Sequence, residues 1–153
     1  MSTTPLTRTA TLADLDVVAA LFDAYRQFYE QAPDLATARH FIRDRFEHEE
    51  SVILLALDDA EQAIGFCQLY PVFCSIEARR TYLLSDLFVT PAARRSGAGR
   101  ALLLAAERHA LENGRAKMEL TTARTNQAAQ AAYASLGWQR DEVYLAYSKR
   151  VQA

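Results

Sequence analysis

Residues 83–104 read LLSDLFVTPAARRSGAGRALLL, and the fold can be built outward from them. Leu83–Val89 has the aliphatic and aromatic content of a buried strand, interrupted only by Ser85 and Asp86. Strict alternation puts Ser85 on a face with Leu83, Leu87 and Val89, and Asp86 on the other with Leu84 and Phe88. Pro91 ends the strand, since proline brings no N–H to a ladder. Ala101–His109 then spaces leucines and alanines as a helix does, with Gly97 and Gly99 removing two side chains where it begins. A helix N-terminus offers unpaired N–H groups and a positive dipole end, so this turn suits an anion. Arg94, Arg95 and Arg100 add charge of the same sign, and the expected ligand is a phosphate. A Walker loop would need Lys-Ser/Thr where Arg100-Ala101 stands. A dinucleotide fingerprint would need a glycine at Leu102 and an acidic residue near Thr121-Thr122.

The 153 residues suit one domain spanning 1–153, large enough for a core without disulfides or metals. A net charge of −2 argues against a general nucleic-acid binder, which needs a clustered basic surface. Cys67 and Cys74 have no partners at metal-ligand spacing, so they read as packing thiols and no metal is expected. The first residues lack a hydrophobic signal region, and no apolar run approaches the roughly 20 residues of a membrane span. The expected compartment is the cytosol, with no membrane partner.

In chain order, Thr7–Ala10 reads as a first strand, and Thr11 with Asp14 signals the start of a helix over Leu12–Glu30. Its stripe is Leu15, Val18, Phe22, Tyr25 and Tyr29, with Phe28 also read as core. A second helix covers Leu35–Glu49, with Phe41, Ile42 and Phe46 on one side. Ser51–Leu57 and Ala63–Tyr70 form a hairpin with a bulge position at Gly65, and 71–78 is a loop or strand extension. Arg80–Val89 enters the central turn, and the helix after it closes at Asn113-Gly114. Lys117–Thr122 is a strand, Asn126–Leu136 an alanine-rich helix, and Val143–Lys149 a last strand. His40, His48 and His109 read as surface residues. The order implies an α/β fold with a mixed sheet, in which the Arg80 and Lys117 strands lie parallel.

The spacing Arg94-x-x-Gly97-x-Gly99 after a strand resembles the acetyl-CoA loop of the GNAT N-acetyltransferases. A second stretch, Asn126-x-x-Ala129-x-x-x-Tyr133-x-x-x-Gly137-Trp138, is similar to that family's N-x-x-A-x-x-x-Y-x-x-x-G-F/W pattern. Tyr82–Val89, YLLSDLFV, resembles the YLEDFFV strand of the diamine and polyamine acetyltransferases, with Ser85 where that branch places its catalytic glutamate. The resemblance implies a mostly antiparallel sheet with one splayed parallel strand pair, flanked by four helices. It implies acetyl-CoA as co-substrate and a primary amine, of a small molecule or a protein, as acceptor. Donor contacts fall on Leu87, Phe88 and Val89, on Arg94, Arg95, Ser96, Gly97, Ala98, Gly99 and Arg100, and on Asn126 and Tyr133. Homodimers are common in the family, and an exposed last strand would support one.

Acetyl transfer to an amine needs a deprotonated nucleophile, a polarised carbonyl and a proton for the departing thiolate. The resemblance makes Tyr133 the proton donor; the alternative is an aromatic packing from its helix. For the base, Ser85 could hold a relaying water, and Asp86 is either catalytic or a structural ion pair or cap. Glu30 and Glu77 are further candidates. Tyr25, Tyr29 and Glu30, at the end of the first helix, would wall the acceptor pocket together with Ser85. The missing glutamate leaves a second function open, a non-catalytic CoA-binding sensor.

Overall fold

The computed structural model describes residues 4–153. The chain forms two compact units, one up to Thr121 and one from Thr122 to Ala153. The first contains β1 (Leu6–Thr9), α1 (Leu15–Phe28), α2 (Leu35–Glu47), β2 (Val52–Leu57), β3 (Ala63–Cys74), β4 (Arg79–Val89), α3 (Ala98–Glu112) and β5 (Met118–Glu119). The second contains α4 (Gln127–Ser135). The sheet runs β1-β2-β3-β4-β5, antiparallel throughout except for the parallel pair of β4 with β5. Mixed sheet, parallel pair and four helices agree with the sequence reading.

α1 starts after a short 3-10 turn at Leu12–Asp14, where Asp14 accepts the Thr11 N–H at 2.9 Å. The same carboxylate takes both terminal nitrogens of Arg8 at 2.8 Å, tying β1 to the helix start. Leu15, Val18 and Phe22 bury one stripe of α1 against Ala38 and Ile42 of α2 and against Ile53, Leu55, Phe66 and Phe88 of the sheet. Phe66 packs edge-on to Phe22 and to Tyr25. The stripe ends at Tyr25, because the last turn of α1 leaves the core. Phe28 is 55% exposed, which corrects its reading as core, and Tyr29, 53% exposed, lies outside the stripe.

α3 covers the opposite face of the sheet. Gly65, the neighbour of Phe66, has Leu102 beneath it, and a Cβ built there would lie 2.7 Å from the Phe88 carbonyl oxygen. The bulge near it falls one residue earlier than expected. Ala56 pairs with Gly65 and Leu57 with Ala63, so Ile64 is the extra residue. Tyr82 meets His109 of α3 at 5.9 Å between ring centroids. His109 is therefore half-buried rather than a surface residue, and that burial lowers its pKa. α3 ends at Asn113 with Gly114 in the left-handed region, φ 67°, as Asn-Gly foretold.

The strands near the C-terminus are shorter than expected. β5 is only Met118–Glu119, not Lys117–Thr122. Val143–Lys149 is not a strand: Asp141 accepts the N–H groups of Val143 and Tyr144, and Leu145 and Tyr147 are exposed. Its alternation suits a strand, but its own unit contains no second strand to complete a ladder. Cys67 is fully buried on β3 and Cys74 half-buried; both are free. Among the described residues no helix is long and apolar enough to cross a membrane, and no cluster of His, Cys, Asp or Glu could hold a metal ion.

Gly65→Ala should destabilise the chain by about 1–3 kcal/mol, because its methyl must displace a ladder carbonyl. Urea unfolding of the two proteins measures this, and an unchanged midpoint would contradict the close approach.

Candidate active site

The register of β3 with β4 shifts once. Gln68 pairs with Asp86 but Leu69 with Leu84, so Ser85 is an extra residue in β4. Such a bulge reverses side-chain parity along the strand. Tyr82, before it, faces α3, whereas Phe88, after it, packs with Phe66 and Tyr25 on the α1 face. Strict alternation therefore fails at this point. Asp86 does share a face with Phe88, but Leu84 lies on the other, and the Ser85 hydroxyl joins Asp86 instead of pointing away from it. Ser85 Oγ donates to Asp86 Oδ1 at 3.0 Å.

Asp86 is 5% exposed and sits in a polar cluster inside an aromatic wall. Its Oδ2 accepts from Nε2 of Gln68, which is fully buried, and Gln68 Oε1 accepts from Ser51 Oγ at 2.8 Å. Tyr25 donates to the Ser85 carbonyl at 3.3 Å. No Lys or Arg among the described residues forms an ion pair with Asp86, so of the alternatives for this carboxylate the structural ion pair is not met. Burial raises the Asp86 pKa, while hydrogen bonds from Gln68 and Ser85 and the nearby Tyr25 hydroxyl oppose the rise. Tyr70 is pushed up to about 12, by burial first and then by the Asp86 charge. Burial and the same charge also raise Tyr25. Sequence reasoning missed Gln68 and Tyr70; the available signal was a lone amide inside the apolar run of β3. Tyr29 packs edge-on to Tyr25, with centroids 5.1 Å apart. Glu30 is exposed in the left-handed region, φ 67°, and Glu77 is exposed and paired with Lys117 at 3.5 Å.

β4 runs on past its partner. Its last pair with β5 is Leu83 with Glu119, so Ser85 and Leu87–Val89 lie beyond that ladder. The turn after Val89 is a 3-10 segment, Pro91–Ala93, followed by Arg95 at φ 67° and Gly97 at φ 88°. Arg94 Nε donates to the Val89 carbonyl at 3.3 Å, and its guanidinium lies over Phe28 at 5.4 Å and Phe88 at 6.0 Å. Ser96 Oγ accepts the Ala98 N–H at 3.3 Å, where α3 opens. The two glycines are not tightly packed: a Cβ at Gly99 would meet Val89 at an ordinary contact distance of 3.9 Å, and one at Gly97 would meet Pro5 at 3.8 Å. Arg95 and Arg100 are exposed, without an ion pair among the described residues. First-turn N–H groups and two guanidinium groups without an ion pair fit a phosphate-bearing ligand.

In the second unit Asn126 caps α4, its Oδ1 accepting the Ala129 N–H at 3.1 Å. Gly137, φ 89°, turns the chain so that Trp138 donates its N–H to the Tyr133 carbonyl at 3.1 Å. The two rings lie 6.0 Å apart. The motif spacing of Asn126, Tyr133 and Gly137-Trp138 thus coincides with the cap, the last turn and the exit of one helix.

A family model described as "Acetyltransferase (GNAT) family" matches residues 17–138. A Bacillus subtilis (strain 168) protein named "Uncharacterized N-acetyltransferase YhfO" is 44% identical over 146 residues, covering 95% of this chain and 97% of that protein. A solved structure described as a probable acetyltransferase is 36% identical, with a TM-score of 0.91 over 97% of this chain and 99% of that one. An aminoglycoside acetyltransferase from an uncultured soil metagenomic sample, solved in complex with sisomicin, gives a TM-score of 0.78 over 97% of both chains. At 16% identity it shares the fold alone.

A buried carboxylate without a cation should weaken the fold where it is charged. Because burial raises the Asp86 pKa, the folded chain holds this proton to higher pH than the unfolded chain does. Stability is then lost as pH climbs from the ordinary carboxylate range through the raised value. The melting temperature of Asp86→Asn relative to wild type should therefore rise between about pH 4 and about pH 8. Thermal melts at both pH values test this; a constant or falling difference would contradict it.

Proposed function

The chain belongs to the GNAT family of acetyltransferases, and we propose that it carries an acetyl group from acetyl-CoA to a primary amine by direct attack. The observation that carries the reading is the turn into α3, where Gly97 and Gly99 carry no side chain over the first-turn N–H groups and the exposed charges of Arg95 and Arg100 stand beside it. The pyrophosphate would be held there, by the amides of residues 97–100 and by the two arginines. Ser96 and Ala98 shape the turn, and Arg94 fixes it to β4. Bound acetyl-CoA supplies a thioester, an acyl group joined to a good leaving group.

The chain supplies the rest. Leu87, Phe88 and Val89, beyond the last β4–β5 pair, offer main-chain groups to the arm and the carbonyl. The amine arrives protonated, and Ser85 and Asp86 are its route to neutrality. Its proton passes to Ser85 Oγ as the serine hydroxyl proton passes to Asp86 Oδ1, leaving a neutral amine and a carboxylic acid. A carboxyl raised above its ordinary range is better matched to this task at neutral pH. Tyr25, Tyr29 and Glu30 border the acceptor side at the end of α1. On their motif alone, Asn126 orients the arm and Tyr133 protonates the departing thiolate. An acidic group in contact with Ser85 favours turnover over the sensor reading, even though the polyamine-type glutamate is missing. The acceptor is a small-molecule amine, polyamine-like compounds included, or a protein amine. The family match crosses Thr121–Thr122, which supports one domain over 1–153. The reading also includes a cytosolic protein and a homodimer, for which the apolar side chains exposed along residues 143–151 offer surface.

Free-thiol release from acetyl-CoA, measured across polyamines, amino acids, aminoglycosides and peptide amines, should identify at least one acceptor. Tight acetyl-CoA binding without release against any of them would overturn the proposal. With the acceptor in hand, Tyr133→Phe should lower kcat by about 10²-fold or more while leaving acetyl-CoA affinity in place. An unchanged kcat would remove Tyr133 from the reaction.

A further inference from the structure

Gln68 has no place in the family motifs, and neither has Ser51, yet the two extend the hydrogen-bonded chain behind the reacting strand. The geometry orders their polarity. Asp86 can only accept while it is ionised, so the Gln68 side chain must turn its NH2 toward Oδ2. That leaves Oε1 facing away, where Ser51 Oγ donates to it at 2.8 Å. If the amide flipped, its oxygen would face the carboxylate and its NH2 the serine, losing one hydrogen bond and adding a repulsion. Gln68 is fully buried and Ser51 half-buried, so water does not replace these contacts at the amide.

We propose that Gln68 and Ser51 are positioning residues for the transfer reaction, together holding Asp86 so that Oδ1 is the oxygen presented to Ser85. This rests on the proton route assigned above. The arrangement serves both protonation states. With Asp86 ionised, Oδ2 accepts from Gln68 and Oδ1 from Ser85. After the proton moves, Oδ1 carries it and donates back to Ser85 Oγ, while Oδ2 still accepts from Gln68. No side chain has to turn between the two states.

The titratable groups around Asp86 leave this role to an amide. α1 brings Tyr25, with Tyr29 beside it, and β3 brings Cys67 and Tyr70. Burial keeps Tyr25, Cys67 and Tyr70 uncharged at neutral pH. Arg45 of α2 acts on Tyr70 and is bound to Glu50 at 3.2 Å, and no cation acts on Asp86 itself. Gln68 is thus the donor that compensates the Asp86 charge on the side away from Ser85.

The test is the titration of the Asp86 carboxyl by carbon-13 NMR in the ligand-free protein, alongside the pH profile of kcat/KM. Gln68→Met keeps the length of the side chain and removes the donor. It should strengthen proton binding at Asp86 about tenfold and move the acid limb of the rate profile to higher pH by the same factor. Ser51→Ala, at the half-buried end and less able to disturb folding, should shift both in the same direction by a smaller factor. Folded variants with an unmoved Asp86 titration would overturn the proposal, even if their melting temperatures fall. The proton route fails separately: Asp86→Asn with wild-type turnover would refute that route, whatever Gln68→Met does to the titration.

Discussion

One inserted residue governs the centre of this molecule. Ser85 stands in β4 without a counterpart in β3, and a two-residue period cannot survive that insertion. Before the bulge, Tyr82 belongs to the α3 side; after it, Asp86 and Phe88 belong to the side of α1 and α2. Were these same residues paired in a regular ladder with no bulge, Asp86 would keep one parity with Tyr82 and share its α3 side. With it, the carboxylate meets Gln68 in register and the serine hydroxyl lies beside it. β4 also leaves β5 at this level, so the strand has its altered face and its unladdered edge in the same place.

Much of the fold was legible in the sequence because local chemistry set it. Proline and glycine fixed the end of β4 and the start of α3, and Asn113-Gly114 fixed its end. Asn126 announced a helix that it caps with its own side chain. What could not be read were features decided by a neighbouring strand. Alternation within LLSDLFV predicts a regular face pattern, and only the pairing with β3 shows that Ser85 is surplus. The segment after Asp141 has strand composition but lacks a strand partner in its unit. Tyr29 and Phe28 carry the spacing or bulk of core residues and are exposed, because α1 outruns the sheet beneath it. The candidate donor turn was thus visible in local pattern, whereas the polar cluster around Asp86 required tertiary structure.

The aromatic shell explains how a charge can be kept in such a place. Phe66, Phe88 and Tyr25 meet edge to face or tilted, and Tyr29 closes on Tyr25. These rings exclude water from one side of Asp86, which costs the ionised form, while hydrogen bonds from Gln68 and Ser85 and the nearby Tyr25 hydroxyl return part of that cost. A cation placed there instead would have stabilised the carboxylate so well that it could no longer take a proton near neutrality. An amide, a hydroxyl and a phenol give a milder compensation. Proton affinity in this cluster is therefore set by neutral donors, whose number and direction can be tuned one side chain at a time.

Cys67 stands across the ladder from Leu87, one strand away from the edge assigned to a thioester. A thiolate in reach of an acylated sulfur is a competing nucleophile, able to capture the acyl group by exchange before an amine does. Full burial and the neighbouring Asp86 charge keep this thiol protonated. The carboxylate thus has a second effect, on chemistry that does not happen. On the proposed route, the field that helps an amine lose its proton would also keep a nearby sulfur protonated, so that self-acylation would be suppressed without excluding cysteine from the core.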